Sequence, residues 1–382
     1  NSFNRCYANM KLVIISHTEH YQSKSGDIVG WGPTVSELNH LASHFNEIYH
    51  VAILHNSVPP PSSLPYVHDN ITFVPLPPSG GTSFLSKLKT IARAPKTIAV
   101  VRNTLKKVDV FQLRTPTGMG VYLVPYLTWF SKKKGWYKYA GNWNQEHPPL
   151  GYRLQRHFLK KQSRKVTING SWEDQPAHCY TFENPCLTIS ERSEGISVIK
   201  QKQYDGPFSF CFVGRLDNAK GVQRIIDAFS KFENKSMVAT LHFIGNGDQM
   251  VDYKKQCAEY QIPAIFHGFL PREKVFNVYR DCQFLMLPST ASEGFPKVIA
   301  EGMNFGCIPI VSNVSSIGQY IDKSNGDVVT PTTAEELRNI LVEIEQTNKL
   351  ELLKKAAQGY ATASKFTFEH YNSRILNEII AT

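Results

Sequence analysis

The sequence has no long hydrophobic run, no CxxC pair of cysteines and no Asp-x-Asp motif. Its longest apolar stretch, residues 121–130, contains a proline and is far shorter than the roughly 20 residues that a helix needs to span a bilayer. The residues before Met10 lack the apolar segment of a signal peptide, so we treat 1–9 as an extension or tag. These absences predict a cytoplasmic protein without a membrane-spanning helix.

Cysteines are present, but without a pattern. The 7 cysteines lie far apart and have no matching histidine spacing. Such usage predicts reduced thiols and argues against a structural zinc site. With Asp-x-Asp also missing, we expect no metal and no other cofactor.

Charge and length are more informative than these absences. At 382 residues with 42% hydrophobic and 19% charged residues, the chain predicts two globular domains and excludes disorder, collagen and coiled coil. Residues 1–190 carry 21 Lys and Arg against 10 Asp and Glu, a balance of +11, whereas the remainder carries 21 against 22. The basic half therefore has two interpretations: scattered solvated lysines, or a surface for an anionic partner such as lipid, membrane or nucleic acid.

Short apolar runs alternate with helical patterns along the whole chain. This alternation predicts parallel sheets covered by helices on both faces, an α/β fold of two doubly wound Rossmann-like domains facing a central cleft. We predict an N-terminal domain over 1–191, a polar linker over 192–207, a C-terminal domain over 208–365, and a C-terminal helix over 366–382 that crosses back to the first domain. Predicted strands include residues 11–16, 187–190, 208–213 and 284–287.

The clearest chemical signal is EGFPKVIAE, in which Glu293 and Glu301 lie eight residues apart. A strand runs into a loop that holds Glu293, and a helix opens near Pro296, so backbone N–H groups point towards the loop. A hydrolase pair needs two carboxyl groups across one bond. A loop and a helix glutamate are better placed to hold hydroxyl groups at two ends of an elongated ligand with an anionic middle.

A second motif, GRLDNAKG, follows the strand predicted over 208–213. Its cations, Arg215 and Lys220, lie between glycines at a strand-to-helix turn, a pattern that suits a diphosphate clamp. Either motif alone could be ordinary solvated surface, but together, at the strand ends of one domain, they predict an anion and sugar site.

These motifs resemble the GT-B retaining glycosyltransferases of family 4 (glycosyl transferases group 1). EGFPKVIAE is similar to the E-x7-E signature, GRLDNAKG to the phosphate-binding turn, and IGNGD and FHGFL to nucleotide-contacting strand ends. GDIVGWGPTVSELNHLA resembles, more weakly, the glycine-rich loop of the first domain. The resemblance implies catalytic roles for Glu293, Arg215 and Lys220. It implies that donor contacts come from Glu301, Gly294, Phe295, Pro296, Lys297, Gly214, Gly30, Gly32, Gly245, His267 and Gly268.

The acceptor side departs from the family. A histidine is expected at the end of a first-domain strand, where this chain has Asn142. The candidates that remain open for the acceptor side are Asn142, Trp143, Asn144, His147 and His17.

Lysines and aromatics cluster in the basic half. Lys87, Lys89, Arg93 and Lys96 form one group, and Lys132, Lys133 and Lys134 lie between aromatic pairs. The pattern is typical of attachment to an anionic membrane surface, with a buried amphipathic helix and a solvated turn as the alternative.

We therefore predict a retaining, metal-independent hexosyltransferase that uses a nucleotide diphosphate sugar, such as a UDP or GDP sugar. Its acceptor would be a glycan, lipid-linked, in polysaccharide or lipopolysaccharide biosynthesis at the cytoplasmic face of the membrane. The alternatives are a nucleotide-sugar 2-epimerase, a sugar phosphorylase or a non-catalytic nucleotide-sugar-binding protein. Nucleic-acid binding lacks a recognition motif, and we do not expect it.

Overall fold

The described part of the chain, residues 9–78 and 90–381 of a computed structural model, divides into two units. Unit 1 comprises the residues up to Asn184 together with those from His370 onward, and unit 2 is Pro185–Glu369. The predicted cations Lys87 and Lys89, like residues 1–8, lie outside the described residues. No helix in the described ranges is long and apolar enough to cross a membrane.

The sheet of unit 1 is built around one long strand, β1 (Lys11–Gln22). Leu12 to Ile15 in β1 are fully buried, because parallel strands pair with both of its sides and helices cover its faces. The further strands are β2 (Ile28–Trp31), β3 (Glu47–His55), β4 (Ser63–Pro65), β5 (Ile71–Leu76), β6 (Val110–Thr115), β7 (Lys134–Tyr139), β8 (Val166–Ile168) and β9 (Cys179–Thr181). The main strand order is β4-β2-β1-β6-β7-β8-β9, with β3 pairing β1 and β5 pairing β3.

Helices accompany this sheet, and the first of them was readable in the sequence. The apolar spacing of Val35, Leu38, Leu41 and Ala42 predicts a helix, and the structure has this helix with all four side chains buried. The helices are α1 (Gly32–Ala42), α2 (Ala94–Leu105), α3 (Gly120–Pro125), which continues as a π-helix over Tyr126–Phe130, and α4 (Leu150–Lys161).

Unit 2 has a six-stranded parallel sheet in the order β12-β11-β10-β13-β14-β15. Because all its strands run the same way, their carboxyl ends lie at one edge, which is where ligands bind in doubly wound folds. The strands are β10 (Phe208–Val213), β11 (Val238–Ile244), β12 (Ala264–Gly268), β13 (Phe284–Leu287), β14 (Ile308–Ser312) and β15 (Asp327–Val329). The helices are α5 (Ile189–Gln201), α6 (Val222–Lys231), α7 (Met250–Glu259), α8 (Arg272–Asp281), α9 (Lys297–Asn304), α10 (Ala334–Gln346) and α11 (Lys349–Ala363).

Helix α5 occupies most of the segment predicted as a linker over 192–207. A capping box starts it, since the Thr188 side chain accepts from the Glu191 amide and the Glu191 side chain accepts from the Thr188 amide. Gly195 marks a close helix contact rather than a flexible joint, because an added Cβ would lie 2.1 Å from the Asn304 carbonyl oxygen. The strand predicted over 187–190 is reduced to one bridge between Leu187 and Thr367.

The C-terminal segment is helical and returns to unit 1 at His370. It forms α12 (Phe368–Arg374) and a π-helix over Ile375–Ile380. Tyr371, Ile375 and Ile379 are buried in one apolar cluster with residues of β1 and α1. This segment is therefore part of the core of unit 1, although all of unit 2 separates it in sequence from the rest of that unit.

Candidate functional site in unit 2

The loop after β10 carries the two predicted cations and is shaped by an aspartate between them. The Asp217 carboxylate accepts from the Lys220 backbone amide at 2.8 Å and contacts the Arg215 guanidinium. Although burial raises it, these two partners hold the pKa of Asp217 below its ordinary value. The turn ends at Gly221, which has a φ of +100°, a conformation that favours glycine. A Cβ atom at this position would also lie only 2.4 Å from the Pro288 carbonyl oxygen.

The loop after β13 meets this turn directly. Lys220 Nζ donates to Glu293 Oε1 at 2.6 Å, and the Thr290 amide donates to the Ala219 carbonyl at 2.8 Å. The side chains of Lys220 and Glu293 remain 22% and 29% exposed, so a ligand could reach both. Two motifs that are 73 residues apart are thus one site.

Helix α9 begins immediately after this loop. Phe295 is buried and stacks on Phe366 with ring centroids 4.5 Å apart, which fixes the loop just before the N-cap residue, Pro296. Gly294 and Pro296 are buried with it, and Lys297 opens the helix. The positive end of the α9 dipole therefore lies at the loop that holds Glu293.

Glu301, one turn further along α9, is paired in a way that the sequence did not predict. Arg272, at the start of α8, contacts the Glu301 carboxylate, the Glu191 carboxylate and the Cys186 carbonyl oxygen. Burial disfavours the charged guanidinium, but the neighbouring Glu301 and Glu191 outweigh this effect and raise the pKa of Arg272. A cation in the first turn of a helix is disfavoured by the helix dipole, so an arginine there indicates a compensating anionic partner. This was the signal in the sequence that could have predicted the pairing of Arg272.

The remaining predicted donor-side residues of unit 2 lie at the ends of β10, β11 and β12. The Gly245 amide donates to the Gly268 carbonyl at 2.8 Å, and a Cβ on Gly245 would lie 1.9 Å from the Gly214 carbonyl oxygen. The His267 Nε2 lies 2.9 Å from His242 Nδ1, and the two rings are stacked. Burial lowers the pKa of both histidines, so the neutral pair shares one hydrogen between these nitrogens.

The predicted residues of unit 1 do not all have surface positions. Gly30 and Gly32 are required by packing inside unit 1, because a Cβ would lie 2.4 Å from the His20 ring and 2.7 Å from the Ser62 carbonyl oxygen, respectively. Trp143 belongs to the core, with its ring 5.0 Å from that of Tyr139, and this corrects its assignment to the acceptor side.

The other acceptor-side candidates are at least partly accessible. His17, Asn144 and His147 are exposed, and Asn142 is half-buried, with its side chain accepting from the Asn144 amide at 3.0 Å.

Unit 1 also buries a charged group that the sequence did not indicate. Glu37 of α1 accepts from Arg114 of β6 at 2.8 Å and from Lys138 of β7 at 2.7 Å, and Lys138 donates to the Tyr371 hydroxyl at 3.1 Å. The side chains of Glu37, Arg114 and Lys138 are 4%, 11% and 6% exposed. The triad joins α1, two central strands and the C-terminal segment.

Two histidines lie beside the triad in a hydrogen-bonded chain. His20 Nδ1 donates to the Thr18 carbonyl at 3.0 Å, so His20 Nε2 accepts from the Tyr66 hydroxyl at 2.8 Å. Tyr66 in turn accepts from His50 Nδ1 at 2.6 Å. Burial lowers the pKa of His20 to about 4 and that of His50 well below its ordinary value, so both imidazoles are neutral.

Comparisons with known proteins find sequence similarity in the unit that holds this site. Residues 196–360, all within unit 2, match the family model described as glycosyl transferases group 1. The lipopolysaccharide 1,6-galactosyltransferase of Salmonella typhimurium is 28% identical over 206 residues. That match covers 45% of this chain and 56% of the relative, so it spans only about half the length of the enzyme.

Solved structures resemble the whole chain in fold. Anabaena HepE, in complex with UDP and glucose, has a TM-score of 0.69 at 17% identity and covers 98% of this chain and 100% of its own. Sucrose-phosphate synthase from Thermosynechococcus elongatus has a TM-score of 0.68 at 14% identity, with coverages of 96% and 97%. The chain thus has the two-domain, Rossmann-like GT-B fold, and its second unit is similar in sequence to the glycosyl transferases group 1 family.

Proposed function

We propose that the protein is a glycosyltransferase that moves a hexosyl group from a nucleotide diphosphate sugar to a glycan acceptor. The observation that carries this proposal is the ion pair of Lys220 and Glu293, which joins a cationic turn and an acidic loop at neighbouring strand ends. A cation for a phosphate next to a carboxylate for sugar hydroxyl groups is the pair of contacts that such a donor needs.

The cations would act on the leaving group. Breaking a sugar–phosphate bond puts negative charge on the departing diphosphate, and groups already in position stabilise that charge without reorganisation. Lys220 is held by its Glu293 partner and by the backbone bond to Asp217. Arg215, with 73% of its side chain exposed, would close on the diphosphate when the donor binds. The dipole of α9 adds to the same field.

The two glutamates would hold the ends of the donor. Glu293 would accept hydrogen bonds from hydroxyl groups of the transferred sugar, and Glu301, oriented by Arg272, from those of the ribose. Within this proposal the enzyme belongs to family 4, retains the anomeric configuration and needs no metal, because Arg215 and Lys220 supply the positive charge. His267 and Gly268 would contact the nucleotide at the end of β12.

The relatives suggest which substrates to test first. The similarity to a lipopolysaccharide galactosyltransferase, and a neighbour that binds UDP and glucose, favour a UDP-hexose donor. The pathway we propose is lipopolysaccharide or polysaccharide assembly, with a lipid-linked acceptor at the membrane surface.

A thermal-shift series with UDP, GDP, ADP, CMP and their sugar conjugates tests the proposal. A nucleotide at about 100 times its Kd adds about 2.7 kcal/mol of stability. We expect one nucleotide family to stabilise the protein and Lys220→Ala to abolish the effect. Lys231→Ala, at the far end of the helix that follows this turn, is the matched control.

The rate of sugar transfer is the second measurement. With the stabilising donor and a lipopolysaccharide-core acceptor, Lys220→Ala should transfer sugar ~10²–10³-fold more slowly than the wild type. Donor conversion without an acceptor would instead indicate an epimerase. Wild-type rates in Lys220→Ala, or no stabilisation by any nucleotide, would contradict the proposal.

A further inference from the structure

A surface of unit 1 exposes large apolar side chains that belong to two neighbouring elements. Trp129 and Phe130, at the end of the π-helix after α3, are 60% and 78% exposed. Leu150 and Leu154 on α4 are 75% and 38% exposed. Phe158, one turn beyond Leu154, lies with its ring 5.3 Å from that of Trp129, so these five side chains, which we name the apolar ridge, are continuous.

The ridge stands on a rigid support. Arg164 donates to the Thr128 carbonyl at 3.1 Å and to the Ser131 carbonyl at 2.6 Å, on either side of Trp129 and Phe130. On α4, Gln155 and Leu159 are buried, which turns Leu150 and Leu154 outwards. The exposure of the ridge is therefore a consequence of packed structure and does not come from a loose segment.

Cations border the ridge. Lys132 and Lys134 follow Phe130, and the outer face of α4 also carries Arg153, His157 and Lys161. The sequence from 110 to 172 contains a single acidic residue, Glu146. Helices that lie in the headgroup region of an anionic bilayer have this composition: apolar side chains, some of them aromatic, beside an excess of cations.

We propose that the apolar ridge and its bordering cations dock unit 1 onto an anionic lipid surface. The aromatic rings and leucines would enter the headgroup–acyl boundary, while the lysine and arginine side chains would meet lipid phosphates. A symmetric pairing of two copies through this surface is disfavoured, because it would bring two strongly basic faces together. The inference does not depend on the glycosyltransferase proposal, since vesicle binding is measured without a sugar donor.

Vesicle co-sedimentation tests the proposal with the whole 382-residue chain. We expect binding to mixed phosphatidylcholine–phosphatidylglycerol vesicles that weakens with salt, and little binding to pure phosphatidylcholine. Replacing both aromatic residues, Trp129→Ser and Phe130→Ser, should weaken binding roughly tenfold or more. Both side chains are exposed, so the variant should melt like the wild type.

A leucine pair gives the matched control. Leu150 on the ridge and Leu350 of unit 2 are 75% and 61% exposed, so Leu150→Ser should weaken vesicle binding and Leu350→Ser should not. Equal loss in both variants, equal binding to neutral and anionic vesicles, or no binding at all would overturn the proposal. Concentration-dependent dimers that Leu150→Ser abolishes would assign the ridge to self-association and overturn it as well.

Discussion

The two units share a doubly wound architecture but differ in what they bury and what they expose. Unit 2 packs a large apolar core beside a buried ion pair of Asp327 and Lys355, and the residues of its candidate site lie at the strand ends. Unit 1 places Glu37, Arg114 and Lys138 in its interior and keeps Trp129 and Phe130 on its surface. The match to a family model falls only in unit 2. The comparison teaches that one architecture carries a sequence similar to a known family in one unit and a buried cluster of three charged side chains in the other.

The largest expected effect is on the buried triad of unit 1. Glu37→Ala leaves Arg114 and Lys138 buried without their carboxylate, a loss that typically destabilises a protein by about 3–5 kcal/mol. All 5 tryptophans lie before Asn184, so urea unfolding followed by tryptophan fluorescence reports unit 1 alone. Asp174→Ala, which removes a surface pair with Lys160 in the same unit, should change stability by less than about 1 kcal/mol. A Glu37→Ala effect as small as that would show that the triad does not stabilise unit 1.

The second prediction is that acid destabilises unit 1 through its neutral histidines. The pKa of His20 is about 4 in the folded chain, whereas the ordinary pKa of a histidine is 6.5, so the unfolded chain binds more protons between these values. Stability is therefore complete above pH 6.5 and falls as the pH approaches 4, by about 3 kcal/mol from His20.

The tryptophan signal measured across this pH range checks the second prediction. His20→Gln should reduce the slope of stability against pH, whereas His157→Gln, at an exposed position, should leave it unchanged. A flat profile in the wild type would contradict the burial argument.

The smallest expected effect is on nucleotide binding, which should change in unit 2 without any change in the stability of unit 1. Arg272→Gln removes the guanidinium that orients Glu301, and we expect nucleotide affinity to fall roughly fivefold. Calorimetric titration with UDP measures this change, and Lys274→Gln, exposed on the same helix, is the control. Unfolding of unit 1 should be the same in both variants. Tighter binding by Arg272→Gln would mean that the arginine competes with the nucleotide for Glu301.

Much of unit 2 could be predicted because its signals are local. The strands from residue 208 onward, the face of α6 formed by Val222, Ile225, Ile226 and Phe229, and the loops with Arg215 and Glu293 all follow from short patterns. The capping box of Thr188 and Glu191 is also visible in the sequence, whereas our predictions place a strand over 187–190 and a polar linker over 192–207. The turn at Gly221 was visible as a glycine, although its contact with Pro288 was not.

Unit 1 was less predictable because its key contacts join distant residues. Lys138 and Tyr371 are 233 positions apart, and no pattern near either residue indicates the other. Trp129 fits equally well in a buried helical face or on the surface, and the structure leaves it 60% exposed with its ring against that of Phe158 on α4. Trp143, predicted as a candidate for the acceptor side, is instead part of the core.

The sequence by itself determined the fold class, the two-unit organisation, the separation of charge and the two motifs of the candidate site. These features follow from periodicity, composition and spacing, which are properties of residues close together in the chain. Tertiary structure decided which groups meet: Lys220 with Glu293, Arg272 with Glu301, and Glu37 with two buried cations. The physical reason is that strand order brings residues of distant segments to one edge or one interior, where burial sets their charge and partners. That order depends on the packing of the whole chain.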